Sequence, residues 1–352
     1  MKRPIYGVYR KICTFVIKQM ARRAYWAGNI DGEWKNNLFL MAEDIPSVHT
    51  YEMLKGFLGE KIVLKKQASS WGGAHTPTVL CVEKNSITYM KKFIPYYRDL
   101  GIGHFVFIDN GSDDGTAEFL EEQEDVTLYS APFPFEHHRK AGWLLQALRE
   151  TGTDGWYLRL DADEFLSWEG MEESSVPELV AKMERHGMGT FRTILADMYP
   201  SWPLMDGIHD DDCFMEDFIY FDDASSYRLD TEKDEFFGGM RNRTTGADLR
   251  MDKYVIFRPD RGYIPITNHD MTGIRNGEER KCRGILRHYK FLPSESEKYR
   301  HISTDKNSGY SGFRQVSKYG RLTDGRINPL SGHSIRYVSS SSIKKIGFIE
   351  PL

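Results

Sequence analysis

Residues 156–166, which read WYLRLDADEFL, are the stretch that decides the fold of this chain. Apolar and polar side chains alternate from Trp156 onward, which is the period of a β-strand with one buried face. The expected strand ends in Asp161, Asp163 and Glu164. Carboxylates at the exit of an apolar strand are costly unless positive charge lies against them. On extended backbone Asp161 and Asp163 would project to the same side, as oxygen ligands for a hard cation such as Mg²⁺ or Mn²⁺. The alternative is a surface turn with solvated acids.

Length and composition are those of an ordinary globular protein. The chain has 352 residues, of which 40% are hydrophobic and 28% charged, and its formal net charge is −4. This charge gives no reason to expect nucleic-acid binding. The four cysteines form no CxxC pair, which favours a reducing compartment over a disulfide framework or a zinc site. The sequence has no signal-peptide pattern and no apolar run of about 18 residues, so we expect a cytoplasmic protein.

Residues 1–27 are basic and amphipathic. Apolar residues recur close to helical spacing, and the basic residues that precede the first acid, Asp31, are Lys2, Arg3, Arg10, Lys11, Lys18, Arg22 and Arg23. Such a helix can lie on an anionic membrane surface, which would place the protein peripherally at the inner face of the membrane. The alternative is a helix that packs on the protein's own body with a solvated basic face.

Strands and helices alternate over about 120 residues in the middle of the chain. We expect strands at 78–82, 104–108, 126–129, 156–161 and 191–198, and helices at 86–100, 116–124, 138–151 and 175–186. This order predicts an α/β fold with a mainly parallel sheet and helices on both faces. Residues 1–75 are expected to form a helical and irregular N-terminal extension, and residues 301–352 an irregular, peripheral C-terminal tail.

Polar residues follow three of the predicted strands. They are Glu83-Lys84-Asn85, Asp109-Asn110 and Asp161-Ala162-Asp163. Parallel α/β sheets bind ligands beyond the carboxyl ends of their strands, so these exits predict a binding site. Three other kinds of site that occur on such sheets require residues that this chain does not have. A haloacid-dehalogenase-type phosphatase needs an aspartate where Ser112 stands, and neither a GxGxxG loop nor a P-loop is present.

Several ordered motifs carry a family resemblance. They are VLCVEKN at 79–85, HFVFIDNGSDDGT at 104–116, HHRKAGW at 137–143, WYLRLDADEFL at 156–166, FFGGMRNR at 236–243 and ILRHYKF at 285–291. This set resembles GT-A-fold glycosyltransferases, in particular family-two-like bacterial enzymes with the pattern KNE…DNxSxDGT…DxDEF. Ser86 stands where many relatives have Glu. The resemblance implies a GT-A (Rossmann-like) catalytic domain at 76–300, with a nucleotide-sugar half at 76–198 and an acceptor half at 199–300.

The resemblance also implies site residues. The predicted donor-binding residues are Glu83, Asn85, Asp109, Arg139, Asp161 and Arg241, and the predicted ligands of Mn²⁺ or Mg²⁺ are Asp163 and His288. Some of these residues have ordinary alternatives. Arg139 is equally consistent with a basic helix turn, Arg241 with an exposed loop, and His288 with a satisfied histidine in an apolar strand.

The acceptor half must supply a general base for an inverting transfer. Asp270, after an expected strand at 263–266, is the first candidate, and Glu235, beside Asp234, is the second. Residues 197–235 are acidic and aromatic, and we expect Trp202 and Phe214 to contact an acceptor sugar.

The chain is therefore expected to be a metal-dependent glycosyltransferase of the hexosyltransferase type. It would move a sugar from a nucleotide diphosphate sugar, UDP-linked, to a glycan or glycolipid acceptor in cell-surface polysaccharide or lipopolysaccharide synthesis. Nucleic acid is not an expected partner. The alternatives are a non-catalytic nucleotide-sugar-binding protein and a nucleotide-sugar hydrolase.

Overall fold

A computed structural model describes residues 3–44, 48–70, 76–204, 211–275, 277–310, 313–323 and 327–352. The helices are α1 Arg3–Trp26, α2 Gly32–Asp44, α3 Val48–Gly59, α4 Ile87–Asp99, α5 Thr116–Glu121, α6 Arg139–Thr151, α7 Val176–Arg185, α8 Phe214–Asp217, α9 Gly239–Thr245, α10 Gly277–Arg280, α11 Ser296–Thr304, α12 Phe313–Val316 and α13 Gly320–Thr323. The strands are β1 Val63–Lys66, β2 Thr78–Glu83, β3 His104–Asp109, β4 Val126–Ser130, β5 Tyr157–Arg159, β6 Glu164–Trp168, β7 Thr190–Asp197, β8 Tyr220–Asp222, β9 Tyr227–Asp230, β10 Glu235–Gly238, β11 Asp252–Phe257, β12 Cys282–His288 and β13 Ser334–Arg336. None of the described helices is long and apolar enough to cross a membrane.

The chain divides into two compact units. Unit 1 comprises Met1–Asn85, Gly103–Arg159 and Ile256–Arg275, and unit 2 comprises Ser86–Ile102, Leu160–Val255 and Asn276–Leu352. These limits differ from the boundaries predicted at residues 75 and 300. The N-terminal residues belong to the same unit as the first strands of the sheet, because their helices and β1 pack against it.

Unit 1 contains the mainly parallel sheet that the sequence predicts. Its strands lie in the order β1–β4–β3–β2–β5, and β4, β3, β2 and β5 run parallel to one another. Every residue of β2 and β3 is buried, as expected for strands covered on both faces. The sequence did not predict β1, an antiparallel strand on the outer side of β4. This fold class, α/β with a mainly parallel sheet and flanking helices, is confirmed.

Helices α3 and α6 of unit 1 approach each other through two glycines. A Cβ atom on Gly142 would lie 2.3 Å from the carbonyl oxygen of Met53, and one on Gly56 would lie 2.4 Å from the carbonyl oxygen of Arg139. Both distances are far below normal contact distances. The two backbones can therefore pack this closely only because neither position carries a side chain.

Unit 2 brings together the ends of three strands. Its order is β11–β7–β12–β6, in which β7 is parallel and β6 antiparallel to β12. The register pairs His288, at the end of β12, with Asp197 of β7 on one side and Glu164 of β6 on the other. Three chemically important residues that are distant in sequence thus become neighbours.

Residues 156–166 form two strands and a turn, which corrects the expectation of one strand. β5 ends at Arg159 and β6 begins at Glu164. The amide of Glu164 donates to the carbonyl oxygen of Asp161 over 3.1 Å, and the amide of Asp161 donates to the Glu164 carboxylate over 2.9 Å. Asp161 and Asp163 therefore lie in a turn fixed by these bonds and not on extended backbone.

Two other local predictions are corrected. Residues 263–266 form no strand, and Pro265 makes only an isolated bridge to Met271. The C-terminal region is not peripheral, because β13 pairs with β8 and the side chains of Tyr319, Leu322 and Ile346 are buried. A capping box begins α7, where the Ser175 amide donates to Glu178 over 2.7 Å.

Candidate active site

The two predicted metal ligands lie together in unit 2. Nε2 of His288 is 3.2 Å from Oδ2 of Asp163. The turn that carries Asp163 is tied to the end of β12, because the amide of Tyr289 donates to the Asp163 carbonyl oxygen over 2.9 Å. Both side chains are largely buried. Backbone pairing therefore sets the separation of these two groups.

Asp197 lies on the other side of the His288 ring. Its Oδ1 is 2.8 Å from Nδ1 of His288. Arg241, in α9, donates to both oxygens of the same carboxylate, with Nε 2.7 Å from Oδ2, and its Nη1 lies 3.3 Å from the hydroxyl of Tyr319. Arg241 is thus a buried partner of Asp197 and is not on an exposed loop. Asp197 was not predicted as a site residue, because it lies inside the strand expected at 191–198; in the structure it is the last residue of β7.

These contacts restrict the protonation states that the imidazole of His288 can adopt. Nη2 of Arg241 also lies 2.8 Å from Nδ1, but a guanidinium only donates hydrogen bonds. If the Asp197 carboxylate accepts from both Arg241 and Nδ1–H of His288, all of these donors are satisfied; if Arg241 instead donates to Nδ1, the proton of the neutral imidazole lies on Nε2. Nε2 faces a carboxylate oxygen of Asp163. Since a nitrogen lone pair and a carboxylate repel each other, either a proton or a metal cation must lie between them.

The electrostatics of this cluster favour ionised carboxylates. Burial raises the pKa of Asp163, but His288 and Lys290 outweigh burial and lower this pKa well below its ordinary value. Burial also raises the pKa of Asp197, but Arg241 and His288 outweigh burial and lower the pKa of Asp197 well below its ordinary value. Burial lowers the pKa of His288, whereas Asp163 and Asp197 raise it, with a net upward shift. The cluster is therefore built to hold positive charge at Nε2.

A buried lysine joins Asp161 to the same region. Nζ of Lys253, in β11, is 2.6 Å from Oε2 of Glu164 and 3.6 Å from Oδ2 of Asp161. Burial raises the pKa of Glu164, with Lys253 opposing and Asp161 adding to the shift. Lys253 supplies the positive charge that carboxylates at this strand exit require. The signal for Lys253 in the sequence is a lysine beside the apolar residues of β11, and no prediction was based on it.

Asp163 and His288 are suitable as two ligands of one metal ion. Across the described ranges of the chain, no group of three or more His, Cys, Asp or Glu side chains is arranged to hold a metal. Two protein ligands are nevertheless sufficient for ions that take their remaining ligands from substrate phosphates and water. Neighbouring ligands at about 2.1 Å from an octahedral ion lie roughly 3 Å apart, which matches the 3.2 Å between Nε2 and Oδ2. A histidine whose other nitrogen bonds a carboxylate is the usual form of a metal-binding histidine.

Two predicted strand exits of unit 1 meet at the ends of β2 and β3. Glu83 and Asp109 are paired in the register of these strands. Oε1 of Glu83 is buried and has no hydrogen-bond partner among the described residues. Burial raises the pKa of Glu83 well above its ordinary value, and Asp109 and Asp114 raise it further. Burial and the two neighbouring acids therefore favour the protonated form of Glu83, which can donate a hydrogen bond.

The loop after β3 closes on the same exits. The Asp109 carboxylate accepts from the amides of Gly111 and Ser112, each over 3.0 Å. Asn85 has φ +53 and exchanges two hydrogen bonds with Asp113, at 2.8 and 2.9 Å. Glu83, Asn85 and Asp109 thus form one cluster in unit 1, as the sequence predicted.

The remaining predicted residues have other immediate partners. Arg139 pairs with Glu60 at 2.8 Å and Glu52 at 3.2 Å. Asp270 accepts from the hydroxyl of Thr267 over 2.9 Å, and Glu235 pairs with a guanidinium, that of Arg250, at 3.2 Å. No contact here tests their roles, which stay predictions.

The expected acceptor segment is corrected in part. Phe214 is buried, with its ring centroid 4.8 Å from that of Tyr289 and 5.8 Å from that of Phe165, so it belongs to the core and is not available to stack on a sugar. Residues 205–210 of this segment lie outside the described residues.

Comparison with known proteins points to glycosyltransferases. No protein-family model matches the chain. A glycosyltransferase family 92 protein of Oryza sativa subsp. japonica is 31% identical over 101 residues, which cover 28% of this chain and 17% of that protein. A glycosyltransferase family 92 protein of Arabidopsis thaliana is 26% identical over 155 residues, which cover 44% of this chain and 25% of that protein. The matched segments thus span a quarter or less of these relatives. Both are named as members of family 92, not of family two.

The crystal structure of S. aureus TarS 1–349 is similar with a TM-score of 0.27 and 12% identity, over 65% of this chain and 63% of that one.

Proposed function

We propose that this chain is a metal-dependent glycosyltransferase of the hexosyltransferase type. It would move a sugar, with inversion, from a UDP-sugar to a glycan or glycolipid acceptor of the cell surface, in polysaccharide or lipopolysaccharide synthesis. One observation carries the proposal: Nε2 of His288 faces Asp163 at 3.2 Å while Asp197 holds Nδ1. The names of the two plant relatives support the class of reaction.

Asp163 and His288 would hold Mn²⁺ or Mg²⁺ in unit 2. The imidazole ligand favours Mn²⁺, since Mg²⁺ prefers oxygen ligands alone. When bound, the ion would act as a Lewis acid that stabilises the negative charge of the departing nucleoside diphosphate. Lys253 would keep the turn between Asp161 and Glu164 in place, so that Asp161 stays available to the donor or to a water molecule.

Glu83, Asn85 and Asp109 of unit 1 would bind the nucleoside part of the donor. A protonated Glu83 can donate to a carbonyl oxygen of a base, whereas the Asp109 carboxylate can accept from a base N–H or a ribose hydroxyl. Arg139 would contribute positive charge if it exchanges its present carboxylate partners for a phosphate. Asp270, or in its place Glu235, would take the proton from the acceptor hydroxyl.

Calorimetric titration of UDP and of GDP into the protein, with Mn²⁺ and then with chelator, tests this proposal. We expect one nucleotide, UDP, to bind only in the presence of Mn²⁺, because Asp163 and His288 would hold the ion and its positive charge would attract the diphosphate. Product analysis with and without a glycan acceptor separates the alternatives. Sugar released equally without acceptor would indicate a hydrolase, and metal-dependent binding without turnover a binding protein. Absence of any nucleotide binding by the folded chain would contradict the proposal.

Asp197 is expected to act on the metal through His288, as a positioning residue. The Asp197→Asn variant should bind Mn²⁺ about 10- to 100-fold more weakly, because the imidazole loses the carboxylate that fixes its tautomer and orientation. Electron paramagnetic resonance of free Mn²⁺ measures this affinity directly, without any turnover.

A matched variant controls for loss of stability. Asp222 is also a buried aspartate in unit 2, and it accepts two hydrogen bonds from Arg243, at 2.8 and 3.0 Å. Breaking either buried pair should cost about 3–5 kcal/mol of folding free energy. Asp222→Asn should nevertheless keep its Mn²⁺ affinity. Equal losses of Mn²⁺ affinity in the two variants would show that Asp197 has only a structural role.

A further inference from the structure

Large apolar side chains are exposed along one face of α1. The exposed fractions are 56% for Ile12, 64% for Phe15 and 84% for Trp26, with Tyr9 at 44%. Ile12 and Phe15 are one helical turn apart, and Trp26 follows Phe15 after about three turns, so the three share a face. Large apolar residues that are exposed in a row mark an interaction surface more often than isolated ones do.

The helix does not need this face to hold its place in unit 1. Its opposite face buries Ile17, Ala21 and Ala24. The Thr14 hydroxyl donates to the carbonyl oxygen of Ala42 over 3.0 Å, and Lys18 pairs with Glu43 of α2. Because these contacts fix α1 against α2, a partner outside the unit can contact Ile12, Phe15 and Trp26 without displacing the helix.

The same face carries positive charge. Lys11, Arg22 and Arg23 are exposed, and α1 contains no acidic residue from Arg3 to Trp26. We refer to Tyr9, Lys11, Ile12, Phe15, Arg22, Arg23 and Trp26 together as the outer face of α1. Its cations complement an anionic partner, and its aromatic residues include the Trp and Phe that prefer the boundary between lipid headgroups and acyl chains.

We propose that the outer face of α1 binds the surface of an anionic lipid bilayer, with the helix lying parallel to the membrane. Phe15, Ile12 and Trp26 enter the boundary between headgroups and acyl chains, and Lys11, Arg22 and Arg23 pair with lipid phosphates. A second copy of the chain is the competing occupant. If two copies paired through the outer faces of their α1 helices, positive side chains would lie against positive side chains, because α1 contains no acidic residue to neutralise them. The inference is independent of the proposed glycosyl transfer, since none of these residues belongs to the candidate active site.

Co-sedimentation of the full chain with vesicles tests the inference. We expect binding to vesicles that contain phosphatidylglycerol, little binding to vesicles of phosphatidylcholine alone, and weaker binding at high salt. Phe15→Asp and Trp26→Asp should each lower the partition coefficient at least tenfold, and Arg22→Glu with Arg23→Glu should do the same. Phe15 and Trp26 are exposed, so their variants should unfold at the temperature of the wild type. Arg22 also lies 5.4 Å from the centroid of the Phe39 ring, so the double arginine variant should unfold at a slightly lower temperature.

Val338→Asp is the matched control. Val338 is 77% exposed and lies outside α1, so adding the same charge there should leave vesicle binding unchanged. Three results would overturn the proposal: no binding of the folded wild type to anionic vesicles, equal binding of Phe15→Asp and wild type, or self-association of the wild type that Phe15→Asp abolishes. The last result would assign the face to a second copy. UDP binding is measured in parallel, because it tests the proposed function without vesicles. A chain that binds UDP but not vesicles would contradict only the membrane proposal.

Discussion

Asp163→Asn is expected to lower the rate of sugar transfer at least 100-fold and to abolish Mn²⁺-dependent binding of UDP. Asparagine has nearly the same shape as aspartate but no charge, so the metal loses an anionic ligand and Nε2 of His288 loses its counter-charge. A bound divalent ion stabilises the transition state by several kcal/mol, and each 1.4 kcal/mol corresponds to about tenfold in rate. Initial rates at saturating UDP-sugar and titrations with Mn²⁺ measure the two effects.

A second aspartate–histidine pair provides the control for this variant. Asp305 lies 3.7 Å from His301 on an exposed helix end. Asp305→Asn makes the same chemical change at a solvated pair and should leave transfer and Mn²⁺ affinity unaltered. If Asp163→Asn kept its turnover and its Mn²⁺ affinity while folded, the metal would have to bind elsewhere, and the proposed role of the Asp163–His288 pair would be wrong.

Gly142→Ala is expected to lower the free energy of unfolding by about 3 kcal/mol or more, or to prevent folding. The added Cβ would meet the carbonyl oxygen of Met53 at 2.3 Å and the amide nitrogen of Phe57 at 2.4 Å. Both contacts are with backbone, which cannot move away unless α3 separates from α6. Urea unfolding followed by circular dichroism measures the change.

Gly59 is the matched control on α3. A Cβ at Gly59 would meet no atom within 4 Å, so Gly59→Ala should change stability by about 1 kcal/mol or less, in the stabilising direction, because alanine favours helix. Equal stability of Gly142→Ala and Gly59→Ala would contradict the close approach of the two helices.

Elements with local signals were predicted correctly. β2, β3, β4, α6 and α7 appear where apolar periodicity indicated them. The polar exits of β2 and β3 were also identified, because the end of an apolar run marks the end of a buried strand. Local pattern was insufficient at 156–166, where one strand ending in acidic residues was expected and β6 was not. The alternation of apolar and polar residues does not reveal the tight turn after β5 or the strand that follows this turn.

The sequence by itself determined which polar residues stand at the ends of buried strands. These are Glu83, Asp109, Asp161 and Asp163, and each was found because an apolar run stops beside it. Only the tertiary structure decided their partners. Asp197 and His288 are 91 residues apart in the chain and 2.8 Å apart in space. Lys253 is 89 residues from Glu164 and 2.6 Å from its carboxylate. Strand order and register create these contacts, and both depend on pairing between distant segments that no local pattern specifies.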